Sequence, residues 1–167
     1  MSEVSIRRAR ENDLDALLAI YNHYVAKTHI TFDVEPRTRE QRKAWLDGFA
    51  EEGRRQCFVA DRGGVAVGWA SSGPFKDRAA YDTSVETSVY LAPHEHGKGV
   101  GRRLYQALLD SLAREDVHRA FGGIALPNEA SIGLHLAMGF HHVGTYSEVG
   151  RKFGRFWDVV WYERMVG

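Results

Sequence analysis

Three glycines recur at every second position in the run His96-Gly97-Lys98-Gly99-Val100-Gly101, after an alternating apolar stretch and directly before leucines at helical spacing. Glycine lets the main chain approach a ligand with no Cβ in between, and the first turn of a helix presents unpaired N–H groups at its positive dipole end. Such a connection suits a phosphate, and Lys98, Arg102 and Arg103 add cations beside it. A plain flexible connection is the competing reading of the loop alone. No Gly-Lys-Ser/Thr follows a glycine at Walker spacing, and counting from Gly99 the third glycine of a dinucleotide fingerprint is replaced by Leu104. A pyrophosphate ligand other than ATP or a nicotinamide dinucleotide is therefore the leading idea.

Glu86 is the second candidate, a carboxylate inside the alternating run Val85-Glu86-Thr87-Ser88-Val89-Tyr90-Leu91. Alternation puts Glu86, Ser88 and Tyr90 on one face and Thr87, Val89 and Leu91 on the other. Partial burial would raise its pKa from near ~4.3 and fit it to accept an amine proton; a solvent-facing glutamate is the alternative. His135, taken alone, reads as a helix histidine packed beside Leu134 and Leu136, and Asn128 as the cap of the helix that begins near Ala130. The eight histidines, including His94, His96 and the pair His141-His142, complete no ligand pattern, so no metal is expected. Cys57, at the start of an apolar strand, reads as a small hydrophobe rather than a nucleophile.

The elements that must position these residues follow from periodicity. A strand over Val4–Arg8 precedes a helix from about Asp13 to Val25, with Thr28 to Pro36 as loop. Thr38 and Gln41 form a capping box that opens a helix through Trp45, Leu46 and Phe49, stopping near Gly53. Cys57–Ala60 and Val65–Ser71 flank a turn as a hairpin, and a turn-rich segment then runs from Ser72 to Asp82. A strand over Val85–Leu91, the glycine loop, a helix through Leu104, Leu108, Leu109 and Leu112, and a strand over Ala120–Leu126 come next. A short helix from Ala130 to Met138 stops at Gly139, and strands Val143–Tyr146 and Phe156–Tyr162 close the chain.

Composition limits the rest. The 167 residues carry 22 Lys+Arg against 22 Asp+Glu, with 44% hydrophobic residues and 17 glycines. Length and core content indicate one domain over residues 1–167 and exclude overall disorder. Charge balance argues against nucleic-acid binding. No apolar run nears the ~20 residues of a membrane span and no leader pattern opens the chain, so a cytoplasmic protein is expected. A single cysteine excludes an internal disulfide.

Together the glycine loop and the stretch Asn128-Glu129-Ala130-Ser131 through Gly139-Phe140 resemble the GNAT superfamily of N-acetyltransferases, with His96 where that family's loop usually begins with Gln or Arg. The order of elements is similar over nearly the whole chain. Val85–Tyr90, Ser131-Ile132-Gly133-Leu134-His135, Gly154–Val159 and Phe32-Asp33-Val34-Glu35-Pro36 resemble the phosphinothricin acetyltransferase branch in particular.

The resemblance implies an α/β fold with a mixed, mostly antiparallel sheet of six to seven strands, about four helices and splayed fourth and fifth strands. It also implies acetyl-CoA as co-substrate, held by His96, Gly97, Lys98, Gly99, Val100, Gly101, Arg102 and Asn128 and by the backbone of Ser88, Val89, Tyr90 and Leu91. The implied reaction is acetylation of the α-amino group of phosphinothricin, methionine sulfoximine or methionine sulfone by direct attack in a ternary complex. Glu86 would act as base and His135 would protonate the departing thiolate. Phe32, Glu35, Phe75, Lys76, Arg78, Tyr81 and Trp157, with Glu86, Thr87 and Ser88, would meet the substrate, although Lys76 and Arg78 also read as a solvated loop. A homodimer is implied, with Phe153, Phe156 and Trp157 as contact candidates or as core. Acetylation of another amine (a peptide amino terminus, a polyamine or an aminoglycoside) and a non-enzymatic acyl-CoA-binding module are the alternatives.

Overall fold

The computed structural model describes residues 2–167. Its elements are β1 (Val4–Arg8), α1 (Leu14–Lys27), α2 (Arg39–Asp47), β2 (Cys57–Arg62), β3 (Val65–Pro74), β4 (Ser84–Leu91), α3 (Val100–Leu112), β5 (Arg119–Ala125), α4 (Glu129–Ala137), β6 (His141–Lys152) and β7 (Arg155–Met165). The seven strands form one sheet in the order β1-β2-β3-β4-β5-β7-β6. Every neighbouring pair is antiparallel except β4 and β5, which run parallel and pair only at Ser84, Val85 and Glu86 with Arg119, Ala120 and Phe121. Past Glu86 the two strands diverge, so the expected mixed sheet with splayed central strands is present.

The two faces of β4 serve different neighbours. Thr87 reaches α3 through Tyr105, and Val89 and Leu91 lie against Gly101 of the same helix. Tyr90 turns the other way, stacking on Trp69 of β3 at 4.9 Å and meeting Tyr21 and Tyr24 of α1 edge-on. Leu104, Leu108 and Leu112, one helical turn apart on α3, are fully buried. At roughly 1.5–3 kcal/mol for each such side chain, this stripe fixes α3, and with it the glycine loop, on the sheet. Among the described residues no helix is long and apolar enough to cross a membrane.

The capping box forms as expected, Gln41 N–H donating to Thr38 Oγ1 at 3.2 Å and Thr38 N–H to Gln41 Oε1 at 2.9 Å. Three boundaries differ from the sequence reading. Helix α2 stops at Asp47 instead of near Gly53, because Gly48 and Phe49 close back on Trp45 and Leu46, and Ala50 then pairs with Arg55. Strand β3 continues past Ser71 to Pro74, since Ser72, Gly73 and Pro74 are held in register by Thr87, Glu86 and Val85 of β4. The last hairpin is also much longer than its alternation suggested. A register shift between Tyr146 and Gly150 breaks the pattern, Glu148 adopting a φ of 52° while its N–H donates to Asp158 Oδ1 at 2.7 Å.

Candidate active site

A cavity of about 370 Å³ opens between the diverging ends of β4 and β5. Its walls include the β4 residues Thr87 to Leu91, the loop residues His96, Gly97 and Gly99, the start of α3 at Val100, Gly101 and Arg102, and Asn128 and His135 from the α4 side. Gly97 and Gly99 both have φ +76°, a left-handed conformation open to glycine at little cost, and Gly99 caps α3. Arg103 N–H donates to Gly99 O, which leaves the amides of the preceding helical residues without an upstream partner. Free amides beside left-handed glycines are an arrangement that can receive phosphate oxygens. Asn128 caps α4 through its Oδ1, which accepts from Ser131 N–H at 3.2 Å, while also lining the cavity, so both roles expected of it are compatible.

One loop side chain expected at the ligand, Lys98, lies outside the cavity lining, whereas His96 is part of it. Lys98 Nζ is 3.9 Å from the Glu95 carboxylate. Glu95 is fully buried and gripped by both arms of Arg62 at 2.9 and 2.8 Å. Those hydrogen bonds hold its carboxyl below the ordinary range. The pair ties the β2–β3 hairpin to the loop, a structural cost of placing glycines there that the sequence did not reveal. His96 does line the cavity, but its Nε2 lies 2.8 Å from the Tyr24 hydroxyl. That hydroxyl donates its hydrogen to Leu91 O, so His96 Nε2–H must be the donor to Tyr24.

His135 is buried in the cavity wall, and a Cβ on Gly122 would lie 2.4 Å from its Nε2, so glycine there makes its room. His135 Nδ1 is 2.7 Å from Ser131 O and its Nε2 is 3.1 Å from the Tyr105 hydroxyl, which also contacts Thr87 Oγ1. A carbonyl can only accept, so Nδ1 carries a hydrogen. Burial lowers the histidine pKa despite that carbonyl. His135 thus stands in the cavity wall with its Nδ1 fixed by Ser131 and its Nε2 beside the Tyr105 hydroxyl. Thr87, expected among the substrate contacts, lines the cavity and also contacts the Tyr105 hydroxyl. Neither Tyr105 nor Tyr24 stood out in the sequence, although Gly101, Leu104, Tyr105 and Leu108 share a helical face.

On the opposite face of β4, burial pushes the Glu86 carboxyl above its ordinary pKa. Two residues along, Ser88 and Tyr90 line a second cavity of about 290 Å³ under α1 and α2, together with Tyr21, Asp33, Arg42, Trp45, Trp69 and Ser71. Burial opposes ionisation of Asp33, but hydrogen bonds from Arg37 at 2.9 and 2.5 Å and from the Tyr21 hydroxyl outweigh it, and its carboxyl titrates below the usual range. Ser88 and Tyr90 are common to both cavities, which therefore meet at this short stretch of β4.

Glu86 itself lines neither cavity, and the remaining substrate candidates also stand apart from both. Phe75 stacks on Phe121, the register partner of Glu86, at 4.2 Å, with Tyr81 edge-on at 6.1 Å and Lys76 Nζ 5.3 Å from each of the Phe75 and Tyr81 rings. These three border the Glu86 rung instead of lining a cavity. Arg78 is exposed in the same connection. Phe32 packs on Gly150, Glu35 is exposed, and Trp157 stacks on His29 at 4.3 Å while its Nε1–H donates to Lys152 O. Among the described residues no group of three or more His, Cys, Asp or Glu converges in a way that could hold a metal ion.

A sheet that opens at one parallel pair, with a glycine-lined helix start at the opening, defines a class, and the family model described as an acetyltransferase (GNAT) domain matches residues 6–161. The chain belongs to the GNAT family and is an N-acetyltransferase. It is 54% identical to a phosphinothricin N-acetyltransferase of Streptomyces coelicolor, over 98% of this chain and 96% of that one. An L-methionine sulfoximine/L-methionine sulfone acetyltransferase of Pseudomonas paraeruginosa is 36% identical over 95% of this chain and 92% of its own length. Among solved structures, a GNAT phosphinothricin acetyltransferase of Sinorhizobium meliloti in complex with AcCoA superposes with a TM-score of 0.93 at 28% identity, covering 98% of this chain and 89% of that one.

Proposed function

We propose that this enzyme acetylates the α-amino group of small amino-acid analogues of the phosphinothricin, methionine sulfoximine and methionine sulfone type, by direct attack in a ternary complex with acetyl-CoA. The observation that carries the reading is the meeting of two cavities at Ser88 and Tyr90, one residue pair beyond a desolvated carboxylate. Names borne by the relatives, phosphinothricin N-acetyltransferase at 54% identity and methionine sulfoximine/methionine sulfone acetyltransferase at 36%, support the same substrate class.

Acetyl-CoA, when bound, supplies an activated thioester. The chain's own groups do the rest. Amides at the start of α3 and the Gly97–Gly101 backbone hold pyrophosphate, with Arg102 adding charge. Backbone groups of Ser88 to Leu91 face the gap left by β5 and are available to the pantetheine arm and to the oxyanion that develops at the thioester carbon. Glu86, ionised, removes the proton that the attacking amine must lose, directly or through one water, and His135 in the cavity wall returns a proton to the departing thiolate, which leaves as the CoA thiol. His135 and Tyr105 complete a buried chain of hydrogen bonds to Thr87 that fixes the strand opposite α4. A covalent acyl-enzyme has no support, because Cys57 is buried in β2 and burial pushes its thiol up to about 12.

The loop residues Phe75, Lys76, Arg78 and Tyr81, adjoining Glu86 through Phe121, are retained as the rim that meets the substrate's charged end. The β6–β7 hairpin carries the exposed apolar side chains Tyr146, Phe153 and Phe156, a surface suited to a homodimer; sedimentation at several concentrations tests it. The assay for the main reading is thiol release from acetyl-CoA with a panel of amines. Turnover is expected with phosphinothricin, methionine sulfoximine and methionine sulfone. Turnover confined to peptides or polyamines sinks the assignment.

A further inference from the structure

The cavity under α1 and α2 contains an ion with no counter-ion. Arg42 is 5% exposed, and its guanidinium carbon lies 3.4 Å from the Trp45 ring centroid, 4.4 Å from Tyr21 and 4.8 Å from Trp69. Aromatic faces satisfy the flat sides of a guanidinium. They accept nothing from its edge, and Nε and Nη2 of Arg42 are buried with no hydrogen-bond partner. Asp33, an acid in the same wall, is already held by Arg37 Nε and Nη2 and by Tyr21. Burial brings the Arg42 pKa down only to about 10, so the cation persists at neutral pH. A buried, charged donor left unpaired is among the costlier defects a fold can carry, and here it borders a cavity that also presents the Ser71 and Ser88 hydroxyls.

We propose that this cavity is the subsite for an oxygen-rich group at the far end of the substrate's side chain, such as a phosphinate, sulfone or sulfoximine, with Arg42 Nε and Nη2 donating to its oxygens. The inference rests on the amino-acid acetylation reading and adds to it the residue that selects among amino acids. Geometry supports the scale. Glu86 and Ser88 lie on one face of β4, two residues and so roughly 7 Å apart, the span of a glutamate-like side chain. An amine at Glu86 thus leaves the distal group at Ser88 and Arg42. An amino acid with an apolar side chain would leave the Arg42 donors unpaired and be discriminated against for that reason.

The test compares two substrates that share the α-amino and α-carboxylate groups, phosphinothricin and norleucine, in wild type, Arg42→Gln and Arg42→Lys. Arg42→Lys keeps a cation among the rings without the two-nitrogen edge, and thermal unfolding establishes that each variant is folded. For phosphinothricin, KM is expected to rise about 10- to 100-fold in Arg42→Gln, less in Arg42→Lys, with kcat nearly unchanged. Norleucine, which leaves those donors unpaired in wild type, should be used no less well by Arg42→Gln, its KM falling as the penalty is removed. An equal loss on both substrates means that Arg42 serves the shared α-carboxylate or the fold, and overturns the proposal. If wild type turns over neither substrate, the acetylation reading fails by itself; the subsite is then judged by calorimetric binding of phosphinothricin, and equal affinity of wild type and the variants overturns it.

Discussion

The two cavities that meet at Ser88 and Tyr90 are built from different materials. The wider one, between β4 and β5, is made from main chain: a gap in a hydrogen-bond ladder, two left-handed glycines and the unpaired amides of a helix start. The narrower one, under α1 and α2, is made from side chains gathered from both helices, the loop between them and two strands. Backbone recognition suits a ligand that is the same in every turnover. Side-chain recognition can be rewritten one residue at a time, which suits the half of the reaction that differs among relatives named for different substrates.

The largest effect that would sharpen this contrast is expected from Glu86→Gln. Removing a general base costs about 10²- to 10³-fold in kcat, while calorimetric affinity for acetyl-CoA stays within about twofold of wild type; a matching loss of acetyl-CoA affinity would break the division between the cavities. Next is Arg62→Ala, which strands the buried Glu95 carboxylate behind the glycine loop. Losing Arg62 leaves the Glu95 carboxylate without its guanidinium, so stability is expected to fall, as a lower denaturant midpoint in chemical denaturation would show. The loss should be accompanied by a higher KM for acetyl-CoA but not for the amine.

Smaller still is Gly99→Ala. Holding an L-residue at φ +76° costs about 1–2 kcal/mol, and with a methyl group at the cradle the KM for acetyl-CoA should rise about 5- to 10-fold with the amine KM unchanged.

The smallest effect concerns stability. Burial raises the Glu86 pKa in the folded state, so the native protein holds that proton more tightly than the unfolded chain does. Its contribution is most favourable below the unfolded pKa and is lost as pH rises through the folded value. Glu86→Gln should therefore raise Tm at pH 7 by about 1–3 °C, with the gain shrinking as the pH approaches 4. In wild type the same titration puts the acidic limb of kcat/KM above the ordinary carboxylate range, and in Glu86→Gln that limb disappears.

Legibility in the sequence divides along the same line. The cradle could be read because its physics is local: Gly97, Gly99 and the leucines after them announce a turn and a helix start within ten residues. The strand carrying Glu86, the Thr38–Gln41 cap and the Asn128 cap were legible for the same reason. Arg42 was not, since it stands between Arg39 and Lys43 in what looks like a solvated helix face. A signal did exist. Arg42, Trp45, Leu46 and Phe49 recur at i, i+3, i+4 and i+7, which puts a cation on the apolar stripe of α2. His135 could be found but its partner could not, because Tyr105 is brought to Nε2 by tertiary packing. The expected substrate loop, Phe75 to Tyr81, was read from resemblance, and its ring stacking on Phe121 arises only once β5 lies beside β4.

Ending the β4–β5 ladder at Glu86 has one more effect. It creates a free strand edge in the middle of a sheet, where ordinary exposed edges invite other chains to pair. Here α3, α4 and the glycine loop wall in that edge, so that a narrow extended molecule fits where another protein's strand does not. The main-chain amides between Thr87 and Leu91 that point into the gap have no ladder partner on β5. Hydrogen–deuterium exchange at those amides should be fast without acetyl-CoA and slow with it, while the β3–β4 side of the same strand stays protected throughout.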